Sequence, residues 1–367
     1  MPIRFDTDPR IVMTLDAGGT NLKFSAIRGN RLLAGPISHP TEAHDLERCL
    51  SNIVAGFDGI RAALPAAPVA ISFAFPGPAD YPHGIVTNEN NLPAFRHGVA
   101  LGPMLADRFG IPAFLNNDGD LFVYGEAIVG FLPYVNQLLE QAGSPKRYRN
   151  LFGITLGTGF GGGIVAGNEL LIGDNSAAGE AWLLRNKLDP RMNAEEGASI
   201  RAVRRVYARE AGIAFDQAPE PKEIFEIGLG RAAGNAAAAR EAFRQMGEVA
   251  GDAVAQALTL VDGLVVVGGG ISAAHPLFLP ALVDAMNDVF ERDGQPLRRL
   301  IPRAFNIEDP AQRDAFLRGQ ARQIAVPGSS RKIAYDPLQR SAVGLSRLGT
   351  SEAVSIGAYA YALHKLG

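Results

Sequence analysis

A glycine-centred hairpin is written twice in this chain, and that repetition constrains the fold more than any other feature. Residues 11–27 read IVMTLDAGGTNLKFSAI: an apolar run that ends in an aspartate, two glycines and a threonine, then a second apolar run. Residues 151–165, LFGITLGTGFGGGIV, repeat the pattern with a leucine where the aspartate stood. Each copy opens a longer series. After the first come a short strand near Leu32 and a helix from about Thr41, its N-cap, with Leu46, Leu50, Ile53, Phe57, Ile60 and Leu64 on one face; a strand, VAISFAF, follows at 69–75. The Pro/Gly-rich connection FPGPADYPHG then leads to a helix near 101–109, a buried strand at 112–115 and a helix from about Gly119. From Asn150 the series restarts as strand, glycine turn, strand and short strand. It continues with helices near 198–211 and 236–260 and reaches GLVVVGGGIS, a strand that ends in three glycines ahead of a helix. The expectation is an internal duplication: two α/β domains of one topology, each beginning ββαβ, facing each other across a cleft. The first covers 1–130 plus a closing helix at about 351–367, and the second covers 131–350.

A chain of 367 residues, 47% hydrophobic and 20% charged, is too long for one ordinary core, which agrees with two domains. The net charge of −3 gives no global attraction to nucleic acid or to anionic membrane. No uncharged run approaches the roughly 20 residues a membrane span needs, and the N-terminus lacks the apolar core of a signal peptide, so the expected location is the cytoplasm. The single cysteine, Cys49, excludes an intrachain disulfide and a thiolate zinc site. It lies beside the apolar stripe of the first helix and reads as a small packing residue. The six histidines, at 39, 44, 83, 97, 275 and 364, have no paired metal-ligand spacing. Arginines crowd the segment 298–347, read here as a surface excursion with a solvated basic face; a lid, an oligomer contact or an anion-binding element is the sharper alternative.

The motifs narrow the chemistry. In DAGGTNLK, Asp16 closes a strand, Gly18 and Gly19 let the backbone approach an anion, and Thr20, Asn21 and Lys23 add donors, a set suited to a polyphosphate. Asp16 would repel that anion unless a cation stood between them, as Mg²⁺ does in phosphoryl-transfer sites. The second hairpin supplies neutral amides instead, at Gly157, Thr158 and Gly159. It also matches G-x-G-x-x-G, but it continues as a strand rather than opening a helix, so it is no dinucleotide fingerprint. Gly268, Gly269 and Gly270 do have the strand-to-helix context and could take the adenosine part of a nucleotide. In FLNNDGD, Asn117 and Asp118 emerge at the end of a buried strand. There a carboxylate can draw a proton from a hydroxyl nucleophile while the asparagine orients the substrate; a helix cap is the plainer reading of Asp118.

Taken in order, LDAGGTNLKFSAI, FPGPADYPHGIV, NNLPAF, GIPAFLNND, GITLGTGFGGGIV, the Gly179–Glu180 pair and VVVGGGIS resemble the motifs of the ROK family of repressors and sugar kinases. The resemblance covers nearly the whole chain. It implies an actin-like ATPase fold built from two RNase H-like domains, ATP and Mg²⁺ in the cleft, a homodimer, and transfer of the γ-phosphoryl group to a hexose or N-acetylhexosamine hydroxyl. It further implies Asp118 as general base, Asn91 and Asn117 as sugar ligands, Gly77 in a loop lining the sugar site, and Glu180 and Glu195 as sugar-binding glutamates, with Glu196 adjacent to the latter.

The chain departs from the family where Gly-Glu is followed elsewhere by x-Gly-His and a cysteine-rich zinc knuckle. Here GEAWLLRNKLDPRMNAEEGAS contains neither histidine nor cysteine, so no zinc is expected, and packing around Trp182 and Leu183 is expected in its place. Ten residues precede Ile11, which leaves no room for the helix-turn-helix of the repressors. The expected activity is that of an ATP-dependent sugar kinase. The alternative is a catalytically weak sugar-binding sensor of the same fold, and a further enzyme variant uses polyphosphate as donor.

Overall fold

A computed structural model describes residues 5–18, 20–75, 77, 79–87 and 93–367. Packing divides the chain into two units: Met1–Gly130 with Asn168–Gly179 and Leu348–Gly367, and Phe131–Gly167 with Glu180–Arg347. Residues 168–179, expected in the second domain, group with the first because Glu169–Leu170 lie against its last internal helix.

The first unit begins with β1 (Val12–Ala17), β2 (Asn21–Arg28), β3 (Arg31–Pro40), α1 (Leu46–Ala62) and β4 (Ala70–Ala74). It continues with α2 (Leu101–Phe109), β5 (Ala113–Asn116) and α3 (Asp118–Ile128). The sheet order is β3-β2-β1-β4-β5, antiparallel among the first three and parallel from β1 outward. One face is covered by α1, whose Cys49, Ile53, Phe57 and Ile60 are fully buried; Phe57 meets Phe24 of β2 edge to face at 5.0 Å. Helix α1 starts later than expected. Its N-cap is Asp45, whose carboxylate accepts the Arg48 N–H at 3.1 Å. Thr41 is instead buried beside the first glycine turn.

The other face is covered by α3 and the C-terminal helix Thr350–Leu366, which meet through glycines. A β-carbon on Gly125 would stand 2.7 Å from the Ala353 carbonyl carbon, and one on Gly357 would stand 2.8 Å from that of Leu121. Two backbones can approach this closely only where side chains are missing.

The second unit holds α4 (Phe131–Gln141), β6 (Leu151–Leu156), β7 (Phe160–Ala166), α5 (Ile200–Ala211), α6 (Ala236–Val261) and β8 (Leu264–Gly268). After these come α7 (His275–Met286), β9 (Arg303–Asn306), α8 (Pro310–Arg318) and β10 (Arg340–Leu345). Strands β7 and β6 pair antiparallel, and β6, β8, β10 and β9 follow in parallel, so the first unit's plan of an antiparallel hairpin continued by parallel strands recurs. Gly247 and Gly251 of α6 press on the Phe278 and Leu282 carbonyls of α7, a second helix crossing made by glycines.

The arginine-rich segment is a surface excursion only in part, at the exposed hairpin of Arg322–Ala325 and Lys332–Tyr335. It contributes β9 and β10 to the sheet, and Arg340 is buried with its guanidinium on Asp336 at 2.6 Å and its ring-facing side over Phe316. Burial alone would raise the Asp336 pKa, but the Arg340 contact and the amides of Gln320 and Leu338 hold it below the usual carboxylate value. Among the described residues no helix is long and apolar enough to cross a membrane.

Candidate active site

In the first unit the site is built where β1, β4 and β5 end. Asp16, next to last in β1, is solvent-exposed and sits opposite Lys23 in the β1–β2 register. The Gly18 N–H donates to the Asn21 carbonyl at 3.0 Å and closes the turn that presents Thr20, Asn21 and Lys23, all exposed. Thr41 fastens this turn from behind: its hydroxyl donates to the Gly18 carbonyl at 2.6 Å and its N–H to that of Thr20 at 3.0 Å. Gly19 and Asn91 lie outside the described residues.

Strand β5 ends at Asn116, and Asn117 caps α3 by accepting the Gly119 N–H at 2.7 Å. The cap is therefore Asn117. Its oxygen serves the helix terminus. Asp118 occupies the first helical position and accepts the same Gly119 N–H at 2.9 Å. A cavity of about 390 Å³ brings together Asp16, Ala17, Ala74, Phe75, Gly77, Asp118, Thr350, Ser351 and Val354. The Asp118 carboxylate is reachable by solvent through that cavity, yet poor hydration in its surroundings raises its pKa. The Gly119 N–H works against the rise and the charge of Asp16 adds to it. Gly77 is required by its neighbour: a β-carbon there would lie 2.9 Å from the Tyr81 hydroxyl, which itself donates to the Phe75 carbonyl at 3.0 Å.

In the second unit two glycine turns share one end of the sheet. Gly157 donates to Gly159 at 3.0 Å after β6, and Gly268 ends β8. The Ile271 N–H donates to the Leu156 carbonyl at 3.0 Å, which sets the two turns side by side. Gly269 has φ +89 and packs on the Leu156 backbone, so that glycine is demanded by geometry, whereas Gly157 and Gly270 have open space at the β-carbon. A short 3₁₀ turn separates these glycines from α7. Thr158 is exposed on the first turn.

Glu195 is oriented toward the same end: its Oε2 accepts the Phe160 N–H at 3.1 Å and leaves Gly159 no room for a side chain. Glu196 pairs with Arg201 and Arg205, which hold its pKa down, while Glu195 makes only a longer contact with Arg201, at 3.6 Å. Of the adjacent glutamates, Glu195 therefore faces the glycine turn. Glu180 accepts a hydrogen bond from the Trp182 indole N–H. The segment between these glutamates folds back on itself. Ala194 donates to Leu184 at 2.7 Å, Asn186 to Met192 at 3.1 Å, and Arg185 bridges Asn193.

Sequence reasoning missed Thr41, Tyr81, Thr350 and Ser351. Thr41 was visible as a capping residue but for the wrong element. The return of the C-terminal helix to the first unit was expected, but not that its first turn would bring Thr350 and Ser351 into the cavity.

Residues 12–311 match the profile of the ROK family. The chain belongs to the ROK family. Over 99% of this chain and 99% of the other, it is 52% identical to a glucokinase from Parabacteroides distasonis, with a TM-score of 0.91 between the structures. A ROK-family glucokinase from Streptomyces griseus, crystallised with glucose and AMPPNP, shares 21% identity over 95% of this chain and 98% of its own, at a TM-score of 0.59. A glucokinase of Thermotoga maritima is 28% identical over 171 residues, 45% of this chain and 48% of that protein. The α/β, actin-like fold that the ROK resemblance implies is thus present in this chain.

Proposed function

We propose that this ROK protein is an ATP-dependent sugar kinase that transfers the γ-phosphoryl group to the primary hydroxyl of a hexose, with glucose the first candidate acceptor and N-acetylhexosamines the second. The observation that carries this reading is the cavity in which Asp118, with its raised pKa, stands beside Asp16 and Gly77. A second carboxylate so close to a phosphate-binding turn makes sense for a hard cation, and the oxygen-rich set of Asp16 and phosphate fits Mg²⁺. Asp16 would hold that ion, which when bound offsets the charge on the transferred group.

Asp118 takes the proton from the sugar hydroxyl. The freed oxygen electron pair forms the new bond to the γ-phosphorus, the bond to the bridging oxygen breaks, and ADP leaves with that electron pair. Lys23, Thr20, Asn21 and the Gly18–Gly19 turn serve the phosphates, and the turns at Gly157–Gly159 and Gly268–Gly270 serve the nucleotide with neutral amides. Glu180, held by the Trp182 indole, and Glu195, held by the Phe160 N–H and Arg201, accept from sugar hydroxyls, with Asn117 and the Gly77 loop as further sugar contacts; the family resemblance gives Asn91 the same role. The 52% identity over nearly the whole chain to the Parabacteroides glucokinase supports glucose as the first acceptor to test.

The test is sugar-dependent ADP release with Mg-ATP over a panel of hexoses and N-acetylhexosamines, with Asp118→Asn in parallel. Turnover on one sugar that falls by several orders of magnitude in the variant, with nucleotide binding retained, is the expected outcome. Wild-type turnover in the variant would remove Asp118 from the role. Thermal stabilisation by a sugar without turnover would favour the sensor.

A further inference from the structure

The second unit has another cavity, at the opposite end of its sheet from the glycine turns. It measures about 570 Å³, within the range of small-molecule sites. Its walls are the residues that lead into the parallel strands: 146–150 before β6, Asp262 before β8, 298–302 before β9, and Gln339 with Arg340 at the start of β10. The glycine turns follow the other ends of β6 and β8, so the length of a five- or six-residue strand, about 15–20 Å, separates the two places.

The walls are strongly basic. Six cationic side chains line the cavity, Lys146, Arg147, Arg149, Arg298, Arg299 and Arg340, against one lining carboxylate, Asp262. Arg340 is neutralised by Asp336, and Arg299 pairs with Asp252 at 3.2 Å. Four cations then face one carboxylate, a surplus of three positive charges. Among the described residues none of Lys146, Arg147, Arg149 and Arg298 has a carboxylate partner. The wall itself is held in place. Tyr148 donates to the Arg340 carbonyl at 2.5 Å, Asn150 donates to the Val261 carbonyl at 3.0 Å, and the Arg147 guanidinium is fixed on the Ser144 and Lys146 carbonyls at 2.7 and 2.8 Å. Burial is the main cause that lowers the Lys146 pKa; the Arg340 charge adds to it, and Asp336 and Asp262 oppose it.

We propose that this cavity is a second anion site, which binds a small molecule carrying phosphate. A multiply charged phosphoryl group offsets more of the surplus charge than a monovalent carboxylate does, and it offers the guanidinium donors three acceptor oxygens rather than two. Sugar phosphates and short polyphosphates share this chemistry. The site is independent of the catalytic reading, since no residue of the candidate active site lines it.

The experiment is calorimetric titration of glucose 6-phosphate and, separately, tripolyphosphate, at constant ionic strength into the wild-type chain and an Arg149→Gln/Arg298→Gln variant, with the difference between the two proteins read as binding at this cavity. Both replaced side chains are exposed, so the variant should melt as the wild type does and keep its basal turnover. The expected result is one saturable anion per wild-type chain, bound roughly tenfold or more weakly by the variant. Whichever of the two titrants binds more tightly identifies the source. Equal affinity in the two proteins, or no saturable binding to the wild type, overturns the proposal. Equal displacement by a polyglutamate peptide of the same charge also overturns it, in favour of an acidic protein partner.

Discussion

Asp118 shows how position tunes one carboxyl group. The first position of α3 puts it at the positive end of a helix and on the Gly119 N–H, both of which favour its charge, while poor hydration and Asp16 oppose it and prevail. A base must be deprotonated to act, so turnover should rise with pH through an acid limb placed above the ordinary carboxylate value. In the metal-free protein, replacing Asp16 by asparagine removes the like charge, so the Asp118 carboxyl should titrate at lower pH than in the wild type; an NMR titration of that carboxyl without Mg²⁺ checks this. Trp182 makes a different kind of contribution, through Glu180. Trp182→Phe keeps the ring and loses the N–H, so the sugar KM should rise several-fold with little change in kcat. Steady-state kinetics with sugar varied decides it, and an unchanged KM would mean that the indole does not position Glu180. Asp16, Asp118 and the glycines were legible in the sequence because their spacing is local. The Thr41 hydroxyl was not, because its partner Gly18 is distant in the chain and the same threonine also suits a helix cap.

At the scale of elements, both helix crossings depend on glycine. α3 carries Asp118 at one end and touches the C-terminal helix at Gly125 and Gly357, so the packing of those helices sets where the carboxylate stands. Gly357→Ala should destabilise the first unit by about 1–3 kcal/mol, because the new methyl group meets backbone that cannot turn aside. Chemical denaturation measures it, and a variant as stable as the wild type would refute it. Most helices and strands were legible from periodicity. α4 was overlooked although Phe131, Leu132, Val135 and Leu139 have helical spacing, because no capping residue marks its start. β9 and β10 were hidden for another reason: short strands flanked by arginine read as surface until Arg340 is seen to be buried on Asp336.

For the molecule as a whole, the departure from the zinc knuckle makes a prediction of its own. The 180–196 segment is held by backbone hydrogen bonds and by the Trp182–Glu180 contact, so protein purified without added zinc should contain well below one zinc per chain. Elemental analysis reads this, and a stoichiometric, tightly held zinc would refute it. The sequence by itself determined the duplication, the α/β class and the family. These rest on apolar periodicity, on turn residues and on motif order, all short-range properties of the chain. Tertiary structure alone decided that residues 168–179 pack with the first unit and that the arginine-rich segment supplies sheet strands. It also decided that Glu195 rather than Glu196 meets the glycine turn, and that Thr350 and Ser351 enter the cavity. Each of these joins residues far apart in the chain, and such contacts are chosen by which surfaces can be buried together, not by any local preference of the residues that make them.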